Sequence, residues 1–183
     1  MRVITGTAKG IHLVTADGLD VRPTPEKVKE GIFSSIQFDI EGRKILDLFG
    51  GSGQLGIEAL SRGAEYALFV DCNPDSIKII TENLEKTKLA DKAKVIRGDF
   101  SAVMLGLNEK FDFAFLDPPY QAGFLLKALN MVIPHINEYG KVFCEHPNDI
   151  ELPERVGEMT KSKVFRYGKI LVSVFERRHE DIE

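Results

Sequence analysis

The sequence predicts an α/β fold with a mostly parallel seven-stranded sheet and helices on both faces. Short apolar runs alternate with helical patterns between residues 44 and 145, and the connections are short. Such alternation implies parallel strands joined by right-handed crossovers. Two strand patterns around Tyr167-Gly168 instead predict an antiparallel hairpin at one edge of the sheet. The 183 residues fit one domain, 1–183.

The first 23 residues are expected to form an arm outside the strand–helix core, which then occupies residues 24–183. Two β-prone segments, 2–4 and 11–14, are separated by glycines and predict a β-hairpin. Thr24 is placed as the N-cap of the first helix, with Pro25 at its first position. Val28 and Ile32 begin the apolar stripe of that helix.

The remaining elements follow in a regular order. The predicted strands are 44–48, 66–71, 94–97, 111–116, 141–145, 162–166 and 169–176, and the predicted helices are 54–61, 74–88, 101–107 and 124–136.

Composition excludes several classes of protein. No apolar run is long enough for a signal peptide or a membrane span, and the spacing of Cys72 and Cys144 does not suggest a metal site. We therefore expect a cytoplasmic monomer that binds neither metal nor membrane. The net charge of −4 argues against wholesale coating of a polyanion. Residues 155–178 carry seven Lys or Arg against two Glu, which by charge count alone favours a solvated face.

A glycine-rich turn follows the first sheet strand. Gly51-x-Gly53-x-x-Gly56 matches the dinucleotide fingerprint, and Asp71 lies twenty residues beyond Gly51. Other adenosine cofactors share this geometry, so the pattern alone does not select one. Asp47, just before the turn, would repel a pyrophosphate and attract a cationic amine. Alternatively, Asp47 caps neighbouring backbone N–H groups.

Two further acidic residues follow successive strands. Asp71 could accept hydrogen bonds from both ribose hydroxyls of a nucleoside cofactor. Asp99 could accept from an adenine amino group while Phe100 packs against the ring. The alternative is that Asp99 caps the next helix and Phe100 belongs to the core.

The sequence Asp117-Pro118-Pro119-Tyr120 follows the fourth strand and predicts a stiff turn. The Asp117 carboxylate and the Pro118 carbonyl are two acceptors at a fixed separation, which suits the two protons of an exocyclic amine. Tyr120 supplies a face on which a base can stack. Holding the amine still accounts for most of the expected rate. The alternative is a rigid structural turn with a packed tyrosine.

These two turns together resemble class I S-adenosylmethionine-dependent amino-methyltransferases. The wider pattern is most similar to bacterial small-subunit (16S) rRNA guanine-N2 methyltransferases of the RsmD type. Beyond the two turns, the matching segments are Met-Arg-Val-Ile-Thr-Gly at 1–6, Arg-Pro-Thr at 22–24, Leu-Gly-Ile-Glu-Ala-Leu-Ser-Arg-Gly-Ala at 55–64, Glu-Asn-Leu at 82–84, Arg-Gly-Asp at 97–99, Glu-His at 145–146 and Arg-Tyr-Gly at 166–168.

The resemblance implies a Rossmann-like class I methyltransferase fold and roles for particular residues. Those that would hold S-adenosylmethionine are Thr24, Asp47, Gly50, Gly51, Gly53, Asp71, Asp99 and Phe100. Asp117, Pro118 and Tyr120 would hold a flipped guanine for catalysis. Arg2, Lys9, Arg22, Pro119 and His146 would contact ribosomal RNA, within a small-subunit particle. The competing surface for RNA is the carboxyl-terminal basic hairpin, with Lys161, Lys163, Arg166 and Lys169. A satisfied structural role is the alternative for His146.

Several other functions stay open at this stage. DNA adenine-N6 or cytosine-N4 methylation uses the same chemistry, but sequence-specific DNA enzymes usually carry a recognition domain. Protein glutamine-N5 methylation is expected with Asn, rather than Asp117, opening the second turn. A nicotinamide oxidoreductase and a non-catalytic RNA-binding module are the alternatives from other classes.

Overall fold

The computed structural model describes residues 1–16, 24–119 and 123–178. Its strands are β1 (Lys44–Leu48), β2 (Tyr66–Asp71), β3 (Ala93–Arg97), β4 (Phe111–Leu116), β5 (Ile136–Pro147), β6 (Arg155–Val156), β7 (Met159–Tyr167) and β8 (Ile170–Arg177). Its α-helices are α1 (Glu26–Ser34), α2 (Gln54–Ser61), α3 (Pro74–Thr87), α4 (Phe100–Gly106) and α5 (Phe124–Val132).

The strands form a single sheet in the order β3-β2-β1-β4-β5-β8-β7-β6. The first five strands in this order pair in parallel, and the last three join antiparallel. The predicted α/β class and the closing hairpin are therefore confirmed. The predicted count of seven strands is wrong because β6 adds an eighth. That strand has two residues, too few to show an alternating pattern in sequence.

The sheet is covered on both faces, as its apolar strands require. All four residues from Ile45 to Leu48 are buried, although Asp47 is charged. Strands covered on both faces are apolar almost throughout, and they do not alternate. Helices α1, α2 and α3 pack on one face, and α4 and α5 pack on the other. Strand β1 therefore lies inside the sheet, between β2 and β4, and the residues that follow it emerge between these two strands.

The amino-terminal segment packs into the core, contrary to the expectation of an arm outside it. An antiparallel bridge joins Arg2 and His12, as the predicted hairpin requires. However, Val3, Ala8 and Leu13 are buried in the same apolar cluster as α1 and α2. Gly6 lies so close to α2 that a Cβ there would be 1.7 Å from a backbone oxygen of α2. The apolar residues of the segment account for this docking.

Buried polar contacts hold the same segment in place. The Glu58 carboxylate accepts hydrogen bonds from the backbone N–H groups of Ile4 and Thr5. Lys29, fully buried on α1, donates to the Arg2 carbonyl oxygen and lies 3.2 Å from Glu58. Buried charges persist in proteins when they are paired in this way.

Helix α1 starts one residue later than predicted. Pro25 is its N-cap, and no side chain caps the first turn. The hydroxyl of Thr24 is hydrogen-bonded elsewhere, as described below. Within the described residues, no helix has both the length and the apolar character needed to cross a bilayer.

Candidate active site

The site lies at the carboxyl ends of the parallel strands, between β1 and β4. At this point the order in which strands are added to the sheet changes direction. Leu48 at the end of β1 is in register with Val70 of β2 and Leu116 of β4. The residues after them, including Asp71 and Asp117, therefore share one edge of the sheet. Ligands of open α/β sheets bind in the crevice at such a reversal.

The glycine turn after β1 is tightly wound. Phe49 has a φ of 70°, and Gly51 and Gly53 have φ values of 57° and 76°. This left-handed backbone favours glycine, and Phe49 adopts it only under local constraint. The Phe49 and Gly50 N–H groups both donate to the Val70 carbonyl oxygen. The turn is thereby fixed against β2, with Gly51 and Ser52 partly exposed and Gly50 and Gly53 buried.

Asp47 is buried beneath this turn. Its Oδ2 accepts a hydrogen bond of 2.9 Å from the Gly56 N–H in the first turns of α2. Burial raises the pKa of Asp47 to about 7, opposed by the Gly56 hydrogen bond and assisted by the Asp71 carboxylate. The capping role considered for Asp47 is therefore present. The same carboxylate is also available to neutralise a cation at the turn.

The first residue of α2 adds a second buried acceptor. Gln54 is almost fully buried, and its Oε1 has no hydrogen-bond partner among the described residues. A buried carbonyl oxygen without a donor is costly in the folded protein. Oε1 and Asp47 therefore suit a ligand that donates hydrogen bonds and carries positive charge. Sequence reasoning missed Gln54, since nothing in the sequence marks its partner as absent.

The two other predicted cofactor acids serve the backbone. Asp71 accepts from the Gly51 N–H at 3.0 Å and from the Asn73 N–H at 2.8 Å. Asp99 is the N-cap of α4 and accepts from the Ser101 and Ala102 N–H groups. The alternative interpretation of Asp99 as a cap is thus seen. Neither arrangement uses every lone pair of the carboxylates.

Three phenylalanine rings contact one another beside the glycine turn. The Phe100 centroid lies 5.2 Å from that of Phe49 and 5.0 Å from that of Phe124. Lys127 of α5 lies over the Phe100 ring. Phe100 is part of the core, as its alternative interpretation held, and its ring also contacts Phe49, directly after β1, and Phe124, the first residue of α5. Sequence reasoning did not select Phe49 or Phe124.

Two carboxyl groups flank one hydroxyl group beside β4. Thr24 Oγ1 donates to Glu145 Oε2 at 2.9 Å, and both residues are buried. Burial raises the pKa of Asp117 well above its ordinary value, and the carboxylates of Glu145 and Asp47 raise it further. The Thr24 hydroxyl also acts on Asp117, whose pKa it lowers. Burial likewise raises the pKa of Glu145, although the Thr24 hydrogen bond lowers it.

The Thr24 hydroxyl donates its one proton to Glu145. Burial disfavours the charged forms of Asp117 and Glu145, so the pKa values of both acids are raised. Glu145 is thus a site residue to which the sequence argument assigned no role. Thr24, placed there as a helix cap and among the cofactor residues, hydrogen-bonds Glu145.

Pro118 is buried and Pro119 is exposed, so the second turn is anchored at one proline and open at the next. Tyr120 lies outside the described residues.

His146 is buried, with Nδ1 3.0 Å from the Pro147 carbonyl oxygen and Nε2 2.8 Å from Ser173 Oγ. Both ring nitrogens are engaged, so His146 has the structural role named as its alternative.

The predicted RNA-binding residues are separated in space. Arg2 pairs with Glu26 at the start of α1, near Thr24. Lys9 is exposed in the turn whose neighbours, Thr7 and Ala8, bond to Ser61 at the far end of α2. Arg22 lies outside the described residues. Helix α2 is about 12 Å long, with the glycine turn before its first residue and Ser61 at its last. Lys9, near Ser61, is therefore distant from the glycine turn.

Comparison with known proteins shows the family to which this chain belongs. Residues 1–176 match the family model described as "Conserved hypothetical protein 95". The chain belongs to this family. A Bacillus subtilis protein named "Putative rRNA methyltransferase YlbH" is 39% identical over 183 residues, which cover 97% of this chain and 100% of that protein. The "Ribosomal RNA small subunit methyltransferase D" of Escherichia coli is 31% identical over 132 residues, covering 72% of this chain and 66% of that protein.

A solved structure agrees with this placement. The "Putative methyltransferase yhhF from Escherichia coli" superposes with a TM-score of 0.84 and 25% identity, over 98% of this chain and 99% of that one. Membership of the Conserved hypothetical protein 95 family confirms the resemblance noted in the sequence. The fold confirms the expected class I methyltransferase architecture.

Proposed function

We propose that this protein transfers a methyl group from S-adenosylmethionine to the exocyclic N2 amine of a guanine in small-subunit (16S) rRNA, acting as a monomer. The observation that carries the proposal is the position of Asp117-Pro118-Pro119. This turn follows β4, directly beside the glycine turn that follows β1. A methyl donor and a planar amine would meet at this crevice. The family relatives named as rRNA methyltransferases support the choice of RNA.

The residues around the glycine turn fit the cofactor. S-adenosylmethionine has a cationic amine and a sulfonium, and no phosphate. Asp47 and the unpartnered Gln54 Oε1 are buried acceptors that suit the amine. Asp71 and Asp99 would accept from the ribose and adenine, and the Phe49, Phe100 and Phe124 rings would pack against the adenosine. When bound, the cofactor supplies an electrophilic methyl group.

The protein then positions the amine and handles its proton. The Asp117 carboxylate and the Pro118 carbonyl accept the two amine protons and turn the nitrogen lone pair out of the ring. Holding reactants in such a geometry can supply most of a rate enhancement. Once methylated, the nitrogen is acidic. Asp117 is suited to take its proton because its pKa is raised. Pro119 and Tyr120 complete the proposed guanine pocket.

The test is transfer of labelled methyl groups to small ribosomal subunits from cells that lack this enzyme. Nuclease digestion and nucleoside mapping should yield N2-methylguanosine. Duplex DNA and a glutamine-containing protein substrate serve as the rival acceptors in parallel reactions. Label in N6-methyladenine, N4-methylcytosine or methylglutamine, with none in guanosine, would contradict the proposal.

A further inference from the structure

We infer that the hairpin of β7 and β8 is the surface on which RNA phosphates bind, with Lys163, Arg166 and Lys169 as the contacting cations. This inference rests on the proposed function, because it names the surface that brings RNA to the same site. The three residues will be called the hairpin cations. Each is exposed.

The sheet register places the hairpin beside the site. Leu116 of β4 pairs with Cys144 of β5, so Asp117 and Glu145 are the next residues along. Glu145 pairs with Val172 of β8, and Val172 pairs with Phe165 of β7. Three strand-to-strand steps of about 4.8 Å separate β4 from β7, a distance of roughly 14 Å. A few nucleotides flanking a bound guanine would span that distance.

The hairpin cations are free to bind an anion. None of the eight ion pairs between described residues involves them. Lys163 Nζ lies 4.8 Å from the centroid of the Phe165 ring, which holds the ammonium group at the surface. Arg166 precedes the β7–β8 turn, and Lys169 lies within it. On a chain of net charge −4, this local concentration of positive charge is distinctive.

The edge of β7 is also accessible. Strand β6 pairs only with Met159 and Thr160, so in the described residues no strand covers β7 beyond Thr160. Cations on both faces of an uncovered strand can reach phosphates along one backbone. The amino-terminal segment is less suited to this role. Arg2 is neutralised by Glu26, and Lys9 lies near the far end of α2.

The test replaces the hairpin cations by glutamine (K163Q/R166Q/K169Q). A matched control replaces three exposed lysines at the opposite edge of the sheet (K86Q/K92Q/K94Q), where α3 ends and β3 begins. Both variants lose three positive charges, so they differ only in where the charge is lost. Affinities for a 16S rRNA transcript and for purified small subunits would be measured over a range of salt concentrations.

The hairpin variant should bind RNA at least about tenfold more weakly, with a salt slope shallower by about 0.7 for each lost single-strand contact. The control variant should stay close to wild type, and both should bind S-adenosylmethionine normally. Equal losses in the two variants, or wild-type RNA binding by the hairpin variant, would overturn the inference. Failure of the wild-type enzyme to form N2-methylguanosine would instead refute the proposed function, because RNA binding is measured separately.

Discussion

Thr24 and Glu145 are joined by a buried hydrogen bond of 2.9 Å across 121 residues of sequence. The bond connects the segment before α1 to the carboxyl end of β5. The Thr24 hydroxyl also lowers the pKa of Asp117. A residue outside the sheet therefore acts on both acids of the site.

Replacing Thr24 by valine should remove this link while preserving side-chain shape. Glu145 would lose its buried hydrogen-bond donor, at a cost of about 1–3 kcal/mol in the free energy of unfolding. Methyl transfer should slow, because the Glu145 carboxyl group beside Asp117 is no longer held. Urea unfolding and single-turnover assays would measure the two effects. Thr24→Ser, which keeps the hydroxyl, should behave nearly as wild type, and equal behaviour of the two variants would contradict this role.

Replacing Asp117 by alanine should abolish methyl transfer and leave affinity for S-adenosylmethionine nearly unchanged. The carboxylate is proposed to act on the amine, so its loss should appear in turnover. Asp117→Asn keeps one acceptor oxygen and should retain part of the rate. Retention of more than about a tenth of wild-type turnover by the alanine variant would exclude a positioning role.

The pH profile offers a second test of Asp117. Its pKa is raised by burial and by the neighbouring acids. The rate should therefore begin to fall, as pH is lowered, well above the range in which an ordinary aspartate titrates. The reason is that the protonated acid accepts amine protons poorly. A rate that is independent of pH down to the ordinary aspartate range would contradict this expectation.

Replacing Asp47 by asparagine should stabilise the protein while weakening cofactor binding. The folded-state pKa of about 7 exceeds the ordinary value of 3.8, so the unfolded chain loses its proton first. Stability from Asp47 is therefore complete below about pH 4 and is lost as the pH rises to about 7. At pH 8 the variant should be more stable by up to about 4 kcal/mol. At pH 4 the two proteins should be nearly equal.

Urea unfolding at the two pH values, with calorimetry for S-adenosylmethionine, checks both parts. In wild type the cofactor should bind more tightly as the pH rises through about 7, because the ionised carboxylate attracts the amine. That dependence should be absent from Asp47→Asn. Equal cofactor affinity in both proteins at pH 8 would show that Asp47 serves only to cap α2.

Replacing Asp71 by alanine should weaken S-adenosylmethionine binding by roughly 1.5–3 kcal/mol. The structure adds a reason, because Asp71 also fixes the Gly51 N–H of the glycine turn. Calorimetry with S-adenosylmethionine, its demethylated product and NAD would test this. Wild type should bind the first two and not NAD. Tight NAD binding would revive the oxidoreductase alternative.

The elements that could be predicted from sequence are those that neighbouring residues in the chain determine. Strands β1 and β4 show as apolar runs, and the residues after them follow directly from strand ends. The pairing of Thr24 with Glu145 could not be predicted, because the contact joins residues 121 positions apart that only the folded chain brings together. The docking of residues 1–16 was missed for the same reason. Its polar anchors, Glu58 and Lys29, lie on helices predicted independently.

Replacing Lys29 by methionine should destabilise the fold and loosen the amino-terminal segment. Lys29 and Glu58 are both fully buried, and their 3.2 Å pair is completed by the Arg2 carbonyl oxygen and by Arg62. Removing Lys29 leaves the buried Glu58 carboxylate with Arg62 as its remaining cation, so the cost should be about 3 kcal/mol, the lower end for a broken buried pair. Exchange of the Ile4 and Thr5 amide hydrogens should accelerate, because both donate to Glu58.

A double-mutant cycle in urea isolates this pair. Lys29→Met combined with Glu58→Gln should cost less than the sum of the single variants. The reason is that Glu58→Gln removes the carboxylate that Lys29→Met leaves without its lysine partner. The exposed Lys78–Asp75 pair on α3 is the control, and Lys78→Met should change stability little. Additive costs at Lys29 and Glu58, or unchanged amide exchange at Ile4 and Thr5, would show that the apolar residues of the segment hold it in place without the ion pair.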